Sequence, residues 1–423
     1  MKIAIYTILF LLSFSIFSFG QNSIGLIGGN IFDGKKFVKK DLYIADGKIT
    51  FEKPGTLEKT IKIENQFVIP PFGDAHTHNL DREFQLTYLP EQYLKEGTFY
   101  VQNLTAKTKN IDYFRKYFST KQTPDVIFAN QGISSTSGHP FMAYEPYVMG
   151  LYDASKWKDN IEKIRTSRLD EGNSYIFIDS KKAAKEKLKG FFAGKPDIVK
   201  IFLVDVGNFE KNSVDEILGN SGLPAELAEY VTKESQKRGL KVYAHIDTAE
   251  DFETGVKIGV DGFAHMPTWN GKPETKQEFQ VSKKVLEKAA NRNIVISPTI
   301  AITTGGTDKD SQEYKNQIEF IRQFLSKYHK LGGTILIGSD YFNRPLTVEL
   351  KAFIEVDAFE ELELLKIVSE TTPRAIFPER KIGFLKEGYE GSVLVLKKNP
   401  LEDSENLFGI THWIKQGQIL KFD

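Results

Sequence analysis

Apolar residues along the chain are concentrated in short runs, which are separated by longer stretches with helical spacing. Eight runs rich in Val, Ile and Phe follow one another at 67–76, 98–103, 126–132, 198–204, 241–246, 262–266, 294–298 and 334–338. Continuous apolar runs of this kind are typical of parallel strands that are covered on both faces. The pattern therefore predicts eight buried parallel strands.

The stretches between the runs favour helices. Near residue 320, for example, large apolar side chains fall on one helical stripe, formed by Ile318, Ile321, Phe324, Leu325 and Tyr328. Strands and helices that alternate in this way predict an α/β fold, a (β/α)8 TIM barrel, with an open doubly wound sheet as the alternative. No glycine-rich phosphate loop follows the first run, which weakens that alternative. The segment 140–196 is longer than one helix requires, and we expect it to form extra helices over the barrel mouth.

Both ends of the chain have a different pattern. Residues 21–67 and 380–423 contain short apolar or alternating runs, separated by turn residues such as Ala45-Asp46-Gly47. Neither end is large enough to form a strong core alone, so we expect the two to pair into one composite β domain. The remaining residues, 68–379, would form the barrel domain.

Residues 1–20 predict a signal peptide that is cleaved after Gly20. Lys2 gives a positive start, residues 3–19 are almost wholly apolar, and Ser18 and Gly20 are small residues before the expected cleavage site. An uncleaved membrane anchor is the alternative, because the apolar run is near the lower length limit of a membrane span. Cleavage would give a secreted or periplasmic protein that has no stable membrane anchor.

Composition narrows the possible chemistry. Lys and Arg together number 56, as do Asp and Glu, and no basic stripe suggests nucleic acid as a partner. The chain contains no cysteine, so it has no disulfide and no thiolate that could act as a nucleophile or a ligand. Any metal site must therefore use nitrogen and oxygen ligands.

Residues with metal-binding or acid–base side chains lie in or just after five of the predicted strands. His76 and His78 come at the end of the first strand, where side chains two residues apart point the same way and can reach one ion. The fourth, fifth, sixth and eighth strands carry Lys200, His245, His265 and Asp340. Each alone has a structural explanation, such as a hydrogen-bonded core histidine or a helix cap. Because catalytic side chains collect at the carboxyl ends of barrel strands, the whole set predicts the metal centre of a hydrolase.

Lys200 is the unusual member of this set. Its ammonium form has no lone pair and cannot bind a cation. It could contribute only if it is deprotonated, or if carbon dioxide converts it into a carboxylate-like group that can bridge two metal ions.

Five local motifs resemble those of a known family. They are GDAHTH at 73–78, VKIF at 199–202, AH at 244–245, GVDGFAH at 259–265 and GSD at 338–340. In these motifs the chain resembles the amidohydrolase superfamily, in its binuclear, carboxylated-lysine form, from about residue 24 to the end. The resemblance implies a (β/α)8 barrel beside a small β-sandwich domain formed by both termini. Departures at 70–73 (PPFG) and 392–393 (SV) concern the subgroup more than the chemistry.

The same resemblance implies which residues would hold metal. The more buried ion would be bound by His76, His78, Lys200 and Asp340. The second ion would be bound by Lys200, His245 and His265. Lys200 would be N6-carboxylated, a hydroxide would bridge the two divalent ions, and Asp340 would be the catalytic acid/base. Zn²⁺ is favoured as the ion, with Mn²⁺ or Fe²⁺ as alternatives.

Two further residues are candidates for substrate contacts. His139 ends the segment 135–139 (STSGH), which resembles a motif of prolidase-like and imidazolonepropionase-related members. There it would position or polarise the substrate carbonyl, and a surface loop histidine is the alternative. Arg344, in a loop after the eighth strand, could bind a substrate carboxylate, with an exposed arginine that binds nothing as the alternative.

The predicted function is metal-dependent hydrolysis of an amide bond by an exported enzyme that acts on a small molecule such as a dipeptide or an N-acyl amino acid. A lactonase or esterase that uses the same metal site is one alternative. An alternative of another class is a catalytically dead periplasmic binding protein, which the complete ligand set argues against. The oligomeric state is open, with a homo-oligomer among the alternatives.

Overall fold

The computed structural model describes residues 23–214 and 218–422. The predicted signal peptide at 1–20 lies outside the described residues. Within these two ranges, no helix is both long enough and apolar enough to span a membrane.

Strands occur in both terminal regions and through the centre of the chain. The described strands are β1 (Ser23–Ile27), β2 (Asn30–Phe32), β3 (Phe37–Lys39), β4 (Leu42–Ala45), β5 (Lys48–Thr50), β6 (Lys59–Lys62), β7 (Phe67–Ile69), β8 (Phe72–Thr77), β9 (Thr98–Asn103), β10 (Asp125–Phe128), β11 (Gly132–Ser134), β12 (Tyr175–Phe177), β13 (Val199–Leu203), β14 (Val242–Ile246), β15 (Gly262–Phe263), β16 (Val295–Ile296), β17 (Thr334–Ile335), β18 (Val393–Leu396), β19 (Ile410–Lys415) and β20 (Gln418–Leu420).

Helices separate most of the central strands. The described α-helices are α1 (Leu89–Lys95), α2 (Ile111–Tyr117), α3 (Phe141–Val148), α4 (Ile161–Thr166), α5 (Lys181–Ala193), α6 (Phe209–Val214), α7 (Ala225–Gln236), α8 (Ala249–Ile258), α9 (Lys283–Asn291), α10 (Ile300–Thr304), α11 (Gln312–Lys330), α12 (Thr347–Val356), α13 (Glu361–Lys366) and α14 (Thr372–Ile376).

The central strands pair in parallel in two sheets. One sheet has the order β10-β9-β8 and the other the order β12-β11-β13-β14-β15-β16-β17. Backbone hydrogen bonds connect the two sheets, because Ala75 N–H donates to Ile337 O at 2.8 Å and Asp197 N–H donates to Phe128 O at 2.9 Å. The strands therefore follow one another as in a TIM-like barrel, and the predicted α/β fold class is confirmed at this level.

Helix α11 shows why the intervening segments become helices. The hydroxyl of Ser311 accepts the N–H of Tyr314 at 3.1 Å, which caps the first turn. The predicted apolar stripe then faces the core, with Ile321, Phe324 and Tyr328 buried. Burial of this face, more than helix propensity, stabilises such a segment in a folded protein.

Two predicted strands are interrupted in the structure. The run 67–76 divides at Pro70-Pro71 into β7 and β8, because proline has no N–H to donate to a ladder. The run 126–132 divides at Asn130, whose φ of 56° is left-handed. Because of the break at Pro70-Pro71, β7 pairs with β18 in a terminal sheet, whereas β8 begins the barrel.

The segment 140–196 contains a strand as well as the predicted helices. β12 pairs in parallel with β11 and extends the sheet at that edge. Glu145 on α3 fastens the segment, because its buried carboxylate accepts the hydroxyls of Ser167 and Tyr175 and the backbone N–H groups of Leu169 and Asp170. A buried carboxylate is tolerated when donors satisfy its oxygens in this way.

The terminal regions form two further sheets. Their orders are β5-β4-β1-β6 and β20-β19-β18-β7-β2-β3, so the second sheet joins strands from both ends of the chain. Lys415 on β19 links this sheet to the barrel strand β10. Its buried ammonium donates to Thr123 O at 2.7 Å and to the Asp125 carboxylate at 2.5 Å.

Candidate metal centre

The first barrel strand is held against the loop after the eighth by a buried carboxylate. Asp74 on β8 accepts the backbone N–H of His76 at 3.1 Å. It also accepts the backbone N–H of Ser339 at 3.1 Å and its hydroxyl at 2.9 Å. Asp74 therefore fixes the distance between His76 and Asp340, which follows Ser339.

Gly338 allows the backbone after β17 to pass directly beside His76. A Cβ atom at position 338 would lie 2.5 Å from the backbone nitrogen of His76 and 2.5 Å from Ser297 Oγ. Two residues later Asp340 is left-handed, with a φ of 45°. Its N–H donates to His76 O at 2.7 Å. These contacts place the Asp340 carboxylate beside the histidines of the first strand.

Three of the predicted histidines surround Asp340. His76 Nε2 and His78 Nε2 each lie 3.4 Å from Asp340 Oδ1. His265 Nε2 lies 3.6 Å from Asp340 Oδ2. Ligand-type atoms of His76, His265 and Asp340 all lie within 4.8 Å of one another, a spacing at which they could hold one metal ion.

The other two histidines continue the cluster. The His245 ring lies 4.3 Å from the His265 ring and 4.5 Å from the His139 ring, centroid to centroid, and the His139 contact is stacked. His245 Nε2 also lies 3.2 Å from Asp247 Oδ1. A cavity of about 490 Å³ opens onto this cluster and is lined by His78, His139, Lys200, His245, His265 and Asp340, among others. The structure thus brings the predicted site residues together, with His76 buried behind them.

Lys200 is fully buried on β13, and its Nζ has no hydrogen-bond partner among the described residues. Burial lowers the pKa of Lys200 to about 7, against the attraction of Asp340 and Asp247. The neutral amine, which has a lone pair, is therefore available near neutral pH. An unpaired buried amine is costly in a folded protein, and such a group calls for an explanation.

The histidines are also prepared to act as ligands. Burial lowers the pKa of His76, His78 and His265 well below the usual value, and neighbouring positive charges add to the effect. The neutral rings have lone pairs to offer. In the described part of the chain neither ring nitrogen of His76 has a hydrogen-bond partner. These unsatisfied nitrogens, beside a carboxylate and without any thiolate, fit a divalent ion bound through nitrogen and oxygen.

Threonines orient two of the rings. The Thr299 hydroxyl donates to Pro298 O at 2.8 Å, so it accepts from His265 Nδ1 at 2.7 Å. This hydrogen bond places the proton on Nδ1 and leaves the Nε2 lone pair facing Asp340. Thr105 Oγ1 lies 2.6 Å from His78 Nδ1 in the corresponding position. Partners of this kind fix ring orientation at metal sites.

Several residues that line the cavity escaped the sequence reasoning. Asp247 lies two residues after His245, and this H-x-D spacing at a strand end was a signal that could have revealed it. Arg82 and the aromatic residues Tyr144, Trp157 and Phe342 come from loops and from α3, where the sequence has no comparable pattern. Arg344 does not line the cavity.

Comparisons with known proteins identify similar sequences and similar structures. No family model matches the chain. Ochratoxinase from Aspergillus niger is 25% identical over 210 residues, which cover 47% of this chain and 41% of that protein. The matched segment thus spans about two fifths of the relative's length.

Solved structures match over nearly the whole chain. The crystal structure of A. niger ochratoxinase has a TM-score of 0.71 at 17% identity, and the alignment covers 94% of this chain and 95% of that one. A Xaa-Pro dipeptidase with bound methionine has a TM-score of 0.70 at 16% identity, with coverage of 95% and 100%. Molinate hydrolase has a TM-score of 0.66 at 15% identity, with 94% of each chain covered. The resemblance predicted from the motifs is therefore confirmed: the chain has the fold of the amidohydrolase superfamily, with prolidase-like enzymes among its structural neighbours.

Proposed function

We propose that this protein is a metal-dependent amidohydrolase that cleaves an amide bond in a dipeptide or an N-acyl amino acid. The observation that carries the proposal is the convergence of His76, His78 and His265 on Asp340, beside a buried Lys200 without a hydrogen-bond partner. A Xaa-Pro dipeptidase, among the similar structures, supports a dipeptide as the substrate class.

The donor set supports two divalent ions, with Zn²⁺ favoured. The proposed ligands are His76, His78, Lys200, His245, His265 and Asp340. Lys200 would serve as a carboxylated lysine, which its lowered pKa favours because only the neutral amine reacts with carbon dioxide. The ions would supply Lewis-acid polarisation of the scissile carbonyl and a lowered pKa of the attacking water.

Asp340 is proposed to move the proton in the reaction. Burial raises the pKa of its carboxyl, so that the group can hold a proton between two steps. Asp340 would take a proton from the water whose oxygen adds to the carbonyl carbon. It would then give that proton to the leaving nitrogen as the C–N bond breaks, so that the products are a carboxylic acid and an amine.

His139 is proposed to orient the carbonyl. Burial lowers the pKa of His139 to about 3, so its ring is neutral at working pH. The ring is held by stacking on His245 and by contact with Phe202 at 5.0 Å, centroid to centroid. A neutral imidazole can donate one N–H to the carbonyl oxygen without competing as a charge.

The test is replacement of the acid/base group. With zinc-loaded protein and a panel of dipeptides, N-acyl amino acids and matched esters, Asp340→Asn should lower kcat by about 10²–10⁴-fold. Asp357→Asn is the control, because Asp357 is also left-handed but exposed at the end of α12. Full activity in Asp340→Asn would refute the proposed role, and activity toward the esters alone would favour an esterase or lactonase.

Two features of the sequence prediction are proposed on the same basis. The sheet that joins β2, β3 and β7 with β18–β20 supports a composite β-sandwich domain of 21–67 with 380–423, beside a barrel of 68–379. The apolar start of the chain supports export through a signal peptide at 1–20 to a secreted or periplasmic location. Amino-terminal sequencing of the purified mature protein tests the second point, because it should begin at Gln21.

A further inference from the structure

Arg82 presents a guanidinium to the cavity beside the candidate metal centre. It lies four residues after His78, in the loop that follows β8, and it lines the cavity. The guanidinium carbon lies 5.0 Å from the centre of the Phe342 ring and 5.8 Å from the centre of the Tyr144 ring. Aromatic rings at these distances attract a guanidinium and hold its plane, so the donor group is fixed before a ligand arrives.

The donors of this guanidinium are unused. Arginine carries five N–H donors, yet the guanidinium of Arg82 makes no hydrogen bond to any residue that the structure describes, and its buried Nε has no hydrogen-bond partner. The nearest anion is Asp81, whose Oδ1 lies 3.8 Å from Arg82 Nε. At that distance the Asp81 carboxylate partly balances the positive charge of Arg82 from one side, but the two groups are too far apart for a hydrogen bond. An arginine held in this way is suited to a ligand that accepts hydrogen bonds.

The other side chains that line the cavity indicate which class of ligand Arg82 would bind. The described lining contains one arginine, Arg82, and one lysine, Lys200, which is fully buried at the metal centre. The carboxylates of Asp247 and Asp340 lie at the metal end, beside the histidines. The rest of the lining is largely apolar and includes Met142, Tyr147, Trp157, Ile302 and Phe342.

Arg344, the arginine that the sequence suggested for this task, lies elsewhere. It is exposed, its guanidinium carbon stacks on the Tyr341 ring at 5.7 Å, and it is absent from the cavity lining. Substitutions at the two arginines can therefore be compared directly, because Arg82 lines the cavity and Arg344 is exposed to solvent.

We propose that Arg82 binds the free carboxylate of the substrate, while an apolar or aromatic part of the same molecule lies against the apolar lining. The planar guanidinium matches a carboxylate with two parallel N–H···O bonds, and its partly buried setting beside two aromatic rings favours them. The enzyme would thus select N-acyl amino acids and dipeptides with a free carboxylate over uncharged amides. This inference rests on the proposed hydrolysis and names the residue that sets its substrate class.

The experiment compares two substrates that share a scissile bond, N-benzoyl-phenylalanine and N-benzoyl-phenylalaninamide, with zinc-loaded full-length mature protein. Wild type should prefer the acid by at least about tenfold in kcat/KM. Arg82→Met, which keeps the length and removes the charge, should lower the ratio of acid to amide by about 10–100-fold, chiefly through KM of the acid. The ratio for Arg82→Lys should fall between those of wild type and Arg82→Met, because lysine keeps the positive charge but cannot make the two parallel hydrogen bonds of a guanidinium. Arg344→Met is the matched control and should leave the ratio unchanged.

A binding measurement separates this inference from the proposed function. Calorimetric titration of N-benzoyl-phenylalanine into metal-free protein should give a Kd that rises at least about tenfold in Arg82→Met and not in Arg344→Met. If wild type hydrolyses neither substrate, the proposed function fails, and this titration still decides the role of Arg82. If wild type hydrolyses both and Arg82→Met leaves the ratio and the Kd unchanged, the inference is overturned while the proposed function stands. Melting curves check that each variant is folded, and Arg82→Lys carries the test if Arg82→Met is not.

Discussion

Thr299 supports His265 from a left-handed backbone conformation: its Oγ1 lies 2.7 Å from His265 Nδ1, and its φ angle is 52°. A β-branched residue rarely adopts a positive φ, and the conformation costs of the order of 1–3 kcal/mol. The fully buried side chain is held there by its surroundings. The strain therefore accompanies the orientation of a proposed metal ligand.

We expect Thr299→Val to weaken metal binding. The substitution removes the hydroxyl that fixes the His265 ring and keeps the branched shape, and losses of such partners cost about 10–100-fold in metal affinity. Competition titration with a chromogenic zinc chelator measures this change. Thr299→Ser keeps the hydroxyl and should stay within a few-fold of wild type, so equal affinity in all three proteins would contradict the orienting role.

Gly338→Ala should disrupt the site by pushing His76 away. The methyl group of the introduced alanine would lie 2.5 Å from the backbone nitrogen of His76 and 2.5 Å from Ser297 Oγ, so the backbone must shift. We expect a loss of about 1–3 kcal/mol in the free energy of unfolding, together with weaker metal retention. The control is Gly190→Ala on α5, where a Cβ atom meets nothing within 4 Å. The free energy of unfolding of that variant, measured by chemical denaturation, should increase by about 0.5–1 kcal/mol.

The link between the terminal sheet and the barrel should contribute strongly to stability. Lys415→Met leaves the Asp125 carboxylate with Arg380 alone, at 2.7 Å. Breaking a buried ion pair costs about 3–5 kcal/mol, which urea denaturation would resolve. Lys309→Met breaks an exposed pair with Glu355 and should cost less than about 1 kcal/mol. Equal losses in both variants would argue against a special role of the buried pair.

Stability should depend on pH through Glu370. Burial raises the pKa of Glu370 to about 7 from an ordinary value of 4.5, against the opposing charges of Lys366 and Arg374. Because the folded state holds this proton more tightly, the stabilisation is complete below pH 4.5 and is lost as the pH rises through 7. Glu370→Gln should remove about 1–2 kcal/mol of this decline, measured by denaturation at several pH values. The exposed Glu379→Gln serves as control and should leave the pH profile unchanged.

The sequence allowed the barrel and the main cluster to be predicted because both depend on local patterns. Apolar runs mark the buried strands, and polar residues such as His76, His245 and Asp340 interrupt the pattern where strands end. The strand β12 was not foreseen, because its place beside β11 depends on a buried Glu145 that collects donors from distant residues.

Arg82 and Thr299 were missed for a different reason. Nothing near Arg82 in the sequence shows that Phe342 will pack against it, since that contact joins the loop after the first barrel strand to the loop after the last one, far later in the chain. The left-handed Thr299 contradicts its own conformational preference, so local propensity points away from the observed structure. Tertiary contacts decide both cases.

The sheet that unites β2, β3 and β7 with β18–β20 also affects how the chain is made. A ribosome delivers the amino-terminal strands first, yet β18, the neighbour of β7, begins only at Val393. For most of synthesis one edge of β7 has no partner, and an open strand edge invites association with other chains. Completion of this sheet therefore waits until β18 has been synthesised, and a nascent chain would need protection until then.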